Sequence, residues 1–217
     1  MRVQVGNIQL FFDIEGSKLR PEGPAMREVP TVLLVHGGPG FDHSGFKPDF
    51  AQLADIAQVV YLDHRASGRS DPGLVEGWRL DQWADDVRSF CSALNIEKPI
   101  VIGQSFGAWT ALTYAARHPE HPLKLVVSSV SARPVGERSF DMFERLGGAA
   151  AREAAVAFWT NPGPETRKAY FKHCIPQYTR RTMPPEFFSR SMRNPDLADF
   201  VFGGELKTLD LLPSCRS

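Results

Sequence analysis

This sequence has few cysteines, no formal net charge and no long apolar run. The three cysteines, Cys91, Cys174 and Cys215, are an odd number without metal-site spacing, which argues against a disulfide framework and against a metal. The 25 basic residues balance the 25 acidic ones, so no overall field attracts nucleic acid or an anionic membrane. We therefore expect neither nucleic acid nor a membrane as a partner, and a small, roughly neutral substrate fits better.

Signals for export and membrane insertion are also missing. Residues 1–10 alternate polar and apolar types and lack the basic start and long apolar stretch of an export signal. No apolar run approaches the roughly 20 residues of a membrane-spanning helix. These absences predict a cytoplasmic protein, and 217 residues are enough for one sizeable core.

Apolar runs and helix-like segments alternate in the first part of the chain. Strands are predicted at residues 2–5, 8–14, 31–35, 59–62, 99–102 and 123–127, and helices at 46–57, 80–94 and 105–117. Residues 17–30 contain three prolines and are predicted to form a surface loop. Apolar strands that alternate with helices indicate an α/β fold, with a parallel sheet covered on both faces.

The composition changes after residue 132, where arginine, phenylalanine and proline become frequent. Helical patches at 139–146 and 149–158 come without a convincing buried strand. We predict an α/β core at 1–132, a helical cap over the carboxyl edge of the sheet at 133–205, and the start of a return to the core at 206–217.

Ser105 stands in Gly103-Gln104-Ser105-Phe106-Gly107, between a predicted strand and a predicted helix. This context is typical of a nucleophile elbow, a sharp turn that exposes a serine hydroxyl at the tip of a sheet. The sequence therefore predicts a serine hydrolase with Ser105 as the nucleophile. Amides at the start of the following helix favour an anion there, so the Phe106 N–H is the predicted first oxyanion donor.

A second motif, His36-Gly37-Gly38-Pro39-Gly40, follows the strand at 31–35. Successive glycines let the backbone approach a ligand closely and turn its amides inward. Gly38 N–H is our preferred second oxyanion donor, with Gly37 behind it; the alternative is a simple turn between a strand and a helix. We interpret His36 as a structural residue bonded to nearby backbone, rather than as the general base.

A third motif, Asp63-His64-Arg65-Ala66-Ser67-Gly68-Arg69-Ser70-Asp71, follows the strand at 59–62. Its alternating charges predict a turn held by internal side-chain bonds, closed by Ser70 and Asp71. A metal site at Asp63 and His64 is disfavoured, because adjacent residues rarely point together and no third ligand is evident.

The three motifs, in this order, resemble those of the α/β-hydrolase superfamily, specifically its proline iminopeptidase-like branch. The resemblance runs from about residue 7 to 212. It implies an α/β-hydrolase fold with a mostly parallel sheet, helices on both faces and a helical cap, here without the last strands. It also implies an exopeptidase that releases an N-terminal proline or similar residue from small peptides through an acyl-enzyme on Ser105, without metal or organic cofactor.

Members of that branch hold the substrate's free ammonium group with carboxylates, some of them in the cap. The resemblance matches Asp199 to such a position, with Glu205 as the second choice. An esterase or lactonase acting on a small ester is the rival within the class, because an elbow and an oxyanion loop serve any carbonyl. Epoxide hydrolases and haloalkane dehalogenases are disfavoured, because they place an aspartate where Ser105 stands.

The superfamily order continues with a carboxylate and a histidine that we do not find after Ser105. His118 and His121 are predicted at the far end of the elbow helix, and His173 lies in the cap. Without a base the chain should be almost inactive. Three explanations compete: a fragment of a longer enzyme, which we favour; a shifted or prematurely stopped reading frame; and a noncatalytic pseudo-hydrolase that binds a ligand or protein.

The strand at 123–127 would lie inside a complete sheet of this type. Here we expect it to present an open edge and an uncovered apolar face. The expected consequence is aggregation, dimerisation through that edge, or a partner segment that covers it.

Overall fold

A computed structural model of the chain describes residues 1–133, 136–181, 184 and 186–212. Six strands form the main sheet, and an exposed hairpin of two further strands stands apart from it. In chain order the strands are β1 (Arg2–Val5), β2 (Ile8–Glu15), β3 (Leu19–Glu22), β4 (Ala25–Glu28), β5 (Thr31–Val35), β6 (Gln58–Leu62), β7 (Ile100–Gln104) and β8 (Lys124–Ser128).

The main sheet has the strand order β1-β2-β6-β5-β7-β8. The pairs β6–β5, β5–β7 and β7–β8 are parallel, whereas β1 and β2 join the edge as an antiparallel pair. Because parallel strands end at the same edge of a sheet, the three motifs that follow β5, β6 and β7 are brought side by side. The predicted α/β architecture is confirmed.

Seven α-helices and five short 3₁₀ segments occur in the described ranges. The α-helices are α1 (Leu80–Ala93), α2 (Phe106–Arg117), α3 (Gly136–Gly147), α4 (Ala149–Thr160), α5 (Pro164–His173), α6 (Glu186–Ser189) and α7 (Pro195–Gly203), and the 3₁₀ segments are His43–Phe46, Asp49–Asp55, Val75–Gly77, Ile175–Tyr178 and Glu205–Lys207. None of the helices in the described part is long and apolar enough to cross a membrane.

The sheet is covered on both faces. Helices α1 and α2 pack on one face, where Val87, Phe90 and Tyr114 meet buried strand residues such as Leu33 and Val101. The other face is covered by the 3₁₀ segments His43–Phe46 and Asp49–Asp55, which pack on the opposite side of the same strands. This two-sided burial explains why the central strands are almost continuously apolar.

Two local predictions were wrong. Residues 46–57, predicted as one helix, form 3₁₀ turns, because Pro48 has no amide to donate and restricts Lys47 to an extended backbone with φ −96° and ψ 142°. Residues 17–30, predicted as a loop, contain the β3–β4 hairpin, whose turn is made by Gly23 with φ +59°. The strands of the hairpin are exposed, so no apolar alternation marked them.

The region predicted as a cap contains α3 to α7. Helices α3, α4 and α5 share a small apolar core around Phe158 and Tyr170. The chain then returns to the core, where the Leu211 amide donates to the Ala132 carbonyl over 2.9 Å.

Cys91 and Cys174 are buried free thiols, and burial raises their pKa values to about 12 and about 11. Cys215 lies outside the described residues.

Strand β8 forms one edge of the main sheet. In the described residues it pairs only with β7, and Val126 and Val127, whose side chains point to opposite faces, are 47% and 39% exposed. An apolar edge strand of this kind is a template for pairing with another chain. Association through β8 stays a prediction.

Candidate functional site

Ser105 lies on the tight turn between β7 and α2. Its backbone has φ +53° and ψ −119°, a conformation that costs a non-glycine residue on the order of 1–3 kcal/mol. Tight packing on both sides maintains the turn: a Cβ at Gly103 would collide with the first turn of α2, and a Cβ at Gly107 would collide with the carbonyl oxygens of Val35 and His36. The two glycines therefore let α2 start directly against β5 and β7.

The glycine-rich loop after β5 lies beside Ser105. A Cβ at Gly37 would come within 3.3 Å of the Ser105 Cβ and 3.2 Å of the Gln104 carbonyl oxygen. Gly38 has φ +141°, a region that favours glycine, and the Phe41 ring lies 3.6 Å from the position of a Cβ at Gly38. The backbone of the glycine-rich loop therefore passes so close to Ser105 that little space remains for a side chain at position 37.

Two of the predicted amide donors have no backbone acceptor in the described residues. Phe106 is the first residue of α2, so its amide has no intrahelical partner, and Gly38 N–H donates to no carbonyl among the described loops. The Ser105 amide, in contrast, donates to the Ser128 carbonyl over 2.9 Å. Phe106 itself is fully buried, which fixes the start of the helix.

His36 and His64 form a buried pair below the glycine-rich loop. The His64 amide donates to His36 Nε2 over 3.2 Å, so His36 Nδ1 carries the proton and donates to the Gly37 carbonyl over 2.7 Å. His64 Nε2 donates to the His36 carbonyl over 3.2 Å. Burial lowers the pKa of His36 and lowers that of His64 further. Both rings are neutral supports of the loop, as predicted for His36.

The turn at 63–71 is held partly by its own side chains, as predicted, through Asp63 and Ser70, and partly by bonds to other segments, among them the side-chain bonds of Asp71 to Arg2 and Gln9. Asp63, fully buried, accepts from the amide and ring of His43 at 2.9 and 2.7 Å and from the Arg69 amide at 3.0 Å. Ser70 Oγ donates to the Asp63 carbonyl over 2.7 Å, and Asp71 accepts from the Gln9 amide. The His43 ring stacks on Phe11 of β2, on the side of the sheet away from β7.

Asp42 is a residue that the sequence reasoning missed. Its carboxylate is buried and accepts from Ser44, from the Ser191 hydroxyl at 3.0 Å and from the Met192 amide at 2.9 Å. Burial acts to raise the pKa of Asp42, but these hydrogen bonds together lower it below its ordinary value. Asp42 thus joins the glycine-rich loop to the cap; its place directly after that loop was the only available signal.

The two carboxylates matched by resemblance lie at one cleft. Asp199 and Glu205 line a cleft of about 480 Å³ together with Trp78 and Phe200. Asp199 pairs with Arg167 through Oδ2, and its buried Oδ1 has no hydrogen-bond partner in the described part of the chain. Glu205 accepts from the Leu80 amide over 2.8 Å at the start of α1, and burial raises its pKa. Ser105 does not line this cleft.

Two of the histidines after Ser105, His118 and His121, lie at the far end of α2 from the serine. His118 follows the last residue of α2, about 20 Å along the helix axis from Ser105 at 1.5 Å per residue, and bonds Asp85 at 2.9 Å; His121 bonds the Tyr114 hydroxyl. His173 ends α5 in the cap. Among the described residues, no group of three or more histidine, cysteine, aspartate or glutamate side chains is placed to hold a metal ion.

Relatives were found by sequence and by fold. The chain is 30% identical over 122 residues to the AB hydrolase superfamily protein YfhM of Bacillus subtilis, covering 55% of this chain and 42% of that protein. It is 33% identical over 102 residues to epoxide hydrolase 4 of Mus musculus, covering 46% of this chain and 28% of that protein. The matches therefore span less than half the length of these curated relatives.

Solved structures share the whole described fold. A proline iminopeptidase of Mycobacterium smegmatis superposes with a TM-score of 0.71 at 22% identity, over 99% of this chain and 76% of that one. A thermophilic esterase of Thermogutta terrifontis gives 0.67 at 21% identity, over 98% and 75%. The family model described as alpha/beta hydrolase fold matches residues 30–158, more than half of the sequence. The chain belongs to the α/β-hydrolase fold family.

Proposed function

We propose that this chain carries the nucleophile and the oxyanion hole of a serine hydrolase that resembles proline iminopeptidases. Ser105 is the nucleophile, and Phe106 N–H and Gly38 N–H, with Gly37 behind, are the oxyanion donors. The observation that carries the proposal is the strained Ser105 backbone, at φ +53°, with Gly37 packed against its Cβ. The serine is half-buried rather than sealed in the core, as a nucleophile requires.

In the proposed reaction, Ser105 Oγ attacks the carbonyl carbon of an N-terminal proline or similar residue. The C–N bond breaks as the ester to Ser105 forms, and the serine proton passes to the amine of the remaining peptide, which leaves. Water then attacks the ester, releases the amino acid and returns a proton to Ser105 Oγ. The negative oxygen that forms during attack lies at the positive end of α2, where the unpaired amides stabilise it. Each such donor is typically worth about 10² to 10³ in turnover.

The substrate's ammonium group needs a paired negative charge in a partly dry pocket. Asp199 is the proposed partner and Glu205 the second, because both carboxylates face one cleft beside Trp78. Helix α7, which carries Asp199, packs through Leu197 and Val201 on the same apolar cluster as Phe106. This contact supports a link between the carboxylates and the elbow.

An esterase or lactonase on the same scaffold is the second candidate, since the amides serve any carbonyl. The serine at position 105 sets this chain apart from the aspartate chemistry expected of epoxide hydrolases. The proposed reaction is therefore acyl transfer to Ser105, and the assay below distinguishes an amide substrate from an ester substrate.

The test is hydrolysis of three substrates by the complete gene product: proline 4-nitroanilide, N-acetylproline 4-nitroanilide and 4-nitrophenyl butyrate. We expect cleavage of the first, little of the second because it lacks the ammonium group, and loss of about 10⁶-fold in Ser105→Ala. Cleavage of the ester alone would favour the esterase. No turnover of any substrate would contradict the proposal and favour a noncatalytic binding protein.

A further inference from the structure

A short segment of the cap, residues 191–194, is fastened to the glycine-rich loop. The Asn194 amide donates to the Gly40 carbonyl over 2.7 Å, and Met192 N–H and Ser191 Oγ donate to the Asp42 carboxylate over 2.9 and 3.0 Å. Gly40, with φ +81°, packs so closely that a Cβ there would collide with the Asn194 carbonyl. The backbone on both sides of Arg193 is therefore held next to the candidate oxyanion loop.

The side chain of Arg193 lies over two aromatic rings, those of Phe171 and Phe188. Its guanidinium carbon lies 6.0 Å from the centre of the Phe171 ring and 5.9 Å from that of Phe188. Phe171 in turn stacks on Phe41 with ring centres 6.2 Å apart and planes 3° apart, and Phe41 contacts Gly38. A continuous row of rings thus leads from the loop beside Ser105 to this cation.

Arg193 has no anionic partner, in contrast to Arg167 and Arg69; Arg190 also lacks a carboxylate partner, but it donates to the Lys47 carbonyl. Arg167 pairs with Asp199 and Arg69 with Asp42, whereas no carboxylate in the described part of the chain pairs with Arg193. Every aspartate and glutamate of the sequence lies in that part. The rings orient the guanidinium, and its exposed fork of N–H donors matches the geometry of a carboxylate.

We propose that Arg193 is a specificity residue that binds a carboxylate of the substrate, while the apolar part of the same molecule packs on Phe41, Phe171 and Phe188. The substrate class is thereby an acyl compound that carries a carboxylate near an apolar or aromatic group, such as a short peptide with a free C-terminus. This inference rests on the proposed function for the position of the scissile bond, but the binding contact itself does not depend on the chemistry of Ser105.

The test is calorimetric binding of 3-phenylpropionate and of its neutral amide, 3-phenylpropionamide, to the full chain. We expect the acid to bind more tightly than the amide. Arg193→Met, which removes the charge but keeps an unbranched side chain that can contact the rings, should weaken binding of the acid by about tenfold or more. Arg193→Lys should give an intermediate loss. Arg190→Met is the matched control, because Arg190 also lies over a ring, Phe187 at 5.7 Å, but donates to the Lys47 carbonyl.

Three outcomes would overturn the proposal: no binding of the acid, equal binding of acid and amide, or equal effects of Arg193→Met and Arg190→Met. Melting temperatures of the variants show whether each one is folded. The experiment measures binding and requires no turnover. Failure of the acid to bind at Arg193 would therefore not bear on the reaction of Ser105, and an unreactive Ser105 would not change the interpretation of the binding data.

Discussion

Gly37 packs against Ser105 so closely that a Cβ at position 37 would lie 3.3 Å from the serine Cβ. The two residues come from loops after different strands, β5 and β7, which are adjacent and parallel. Their contact places the backbone of the glycine-rich loop directly beside Ser105. The candidate site therefore depends on the absence of a side chain at Gly37.

Gly37→Ala should lower kcat/KM of the complete gene product by about 10²-fold, because a displacement near 1 Å at the reacting groups costs that much. The stability should change little, since the φ of Gly37 lies outside the left-handed region and alanine adds only crowding. Gly45→Ala is the control: a Cβ there meets only Phe187, at an ordinary 3.7 Å. Equal kinetics for both variants would contradict the packing argument.

Asp42→Asn should destabilise the protein by about 1.5–3 kcal/mol at pH 7, the usual range for hydrogen bonds to a charged group. The pKa of Asp42 is lowered in the folded state. The contribution of its carboxylate to the free energy of unfolding is therefore fully present above the pKa of the unfolded chain, about 3.9. That contribution is lost as the pH falls through the lower pKa of the folded chain. Urea unfolding at several pH values measures this. Asp55→Asn, at an exposed position, is the control, and an equal effect of the two substitutions would exclude the role given to Asp42.

Acidification should destabilise the fold through His36 and His64. Both pKa values are lowered by burial, so below pH ~6.5 the unfolded chain binds protons that the folded chain does not. Each histidine then removes up to about 1.4 kcal/mol per pH unit from the free energy of unfolding. Unfolding curves from pH 7.5 to 5.5 measure the slope, and His64→Gln should flatten it. An unchanged slope in that variant would count against a neutral, buried His64.

Strand β8 should mediate association between copies of this chain. Sedimentation velocity should show concentration-dependent dimers or larger species, and Val126→Lys should reduce them, because an edge lysine opposes strand pairing. Val75→Lys is a matched control, since Val75 is also 47% exposed but lies in a 3₁₀ turn. A wild-type chain that stays monomeric at all concentrations would show that the exposed edge does not pair.

Local signals made the strands and the elbow predictable. Ser105 and Gly38 each follow a short apolar strand, and parallel strands end at one edge, so their proximity follows from sequence alone. The hairpin at β3 and β4 was missed because its exposed strands lack apolar alternation. Contacts such as that of Asp42 with Met192 join residues far apart in the chain, and no periodicity reports them.

The buried ion pair of Arg65 with Asp86 illustrates the same limit. Two bonds of 2.8 Å link them, yet the 63–71 motif predicted only internal bonds for that turn. A charge pair that bridges a loop and a helix requires the packing of α1 on the sheet, which sequence spacing does not specify. Burial of both partners is visible only once the elements are assembled.

The most direct test of the central claim is a crystal structure of the complete gene product after reaction with a fluorophosphonate. We predict a covalent bond between phosphorus and Ser105 Oγ, with one phosphoryl oxygen within hydrogen-bond distance of the Phe106 and Gly38 amides. Phosphonate absent from Ser105, or a phosphoryl oxygen turned away from both amides, would contradict the assignment.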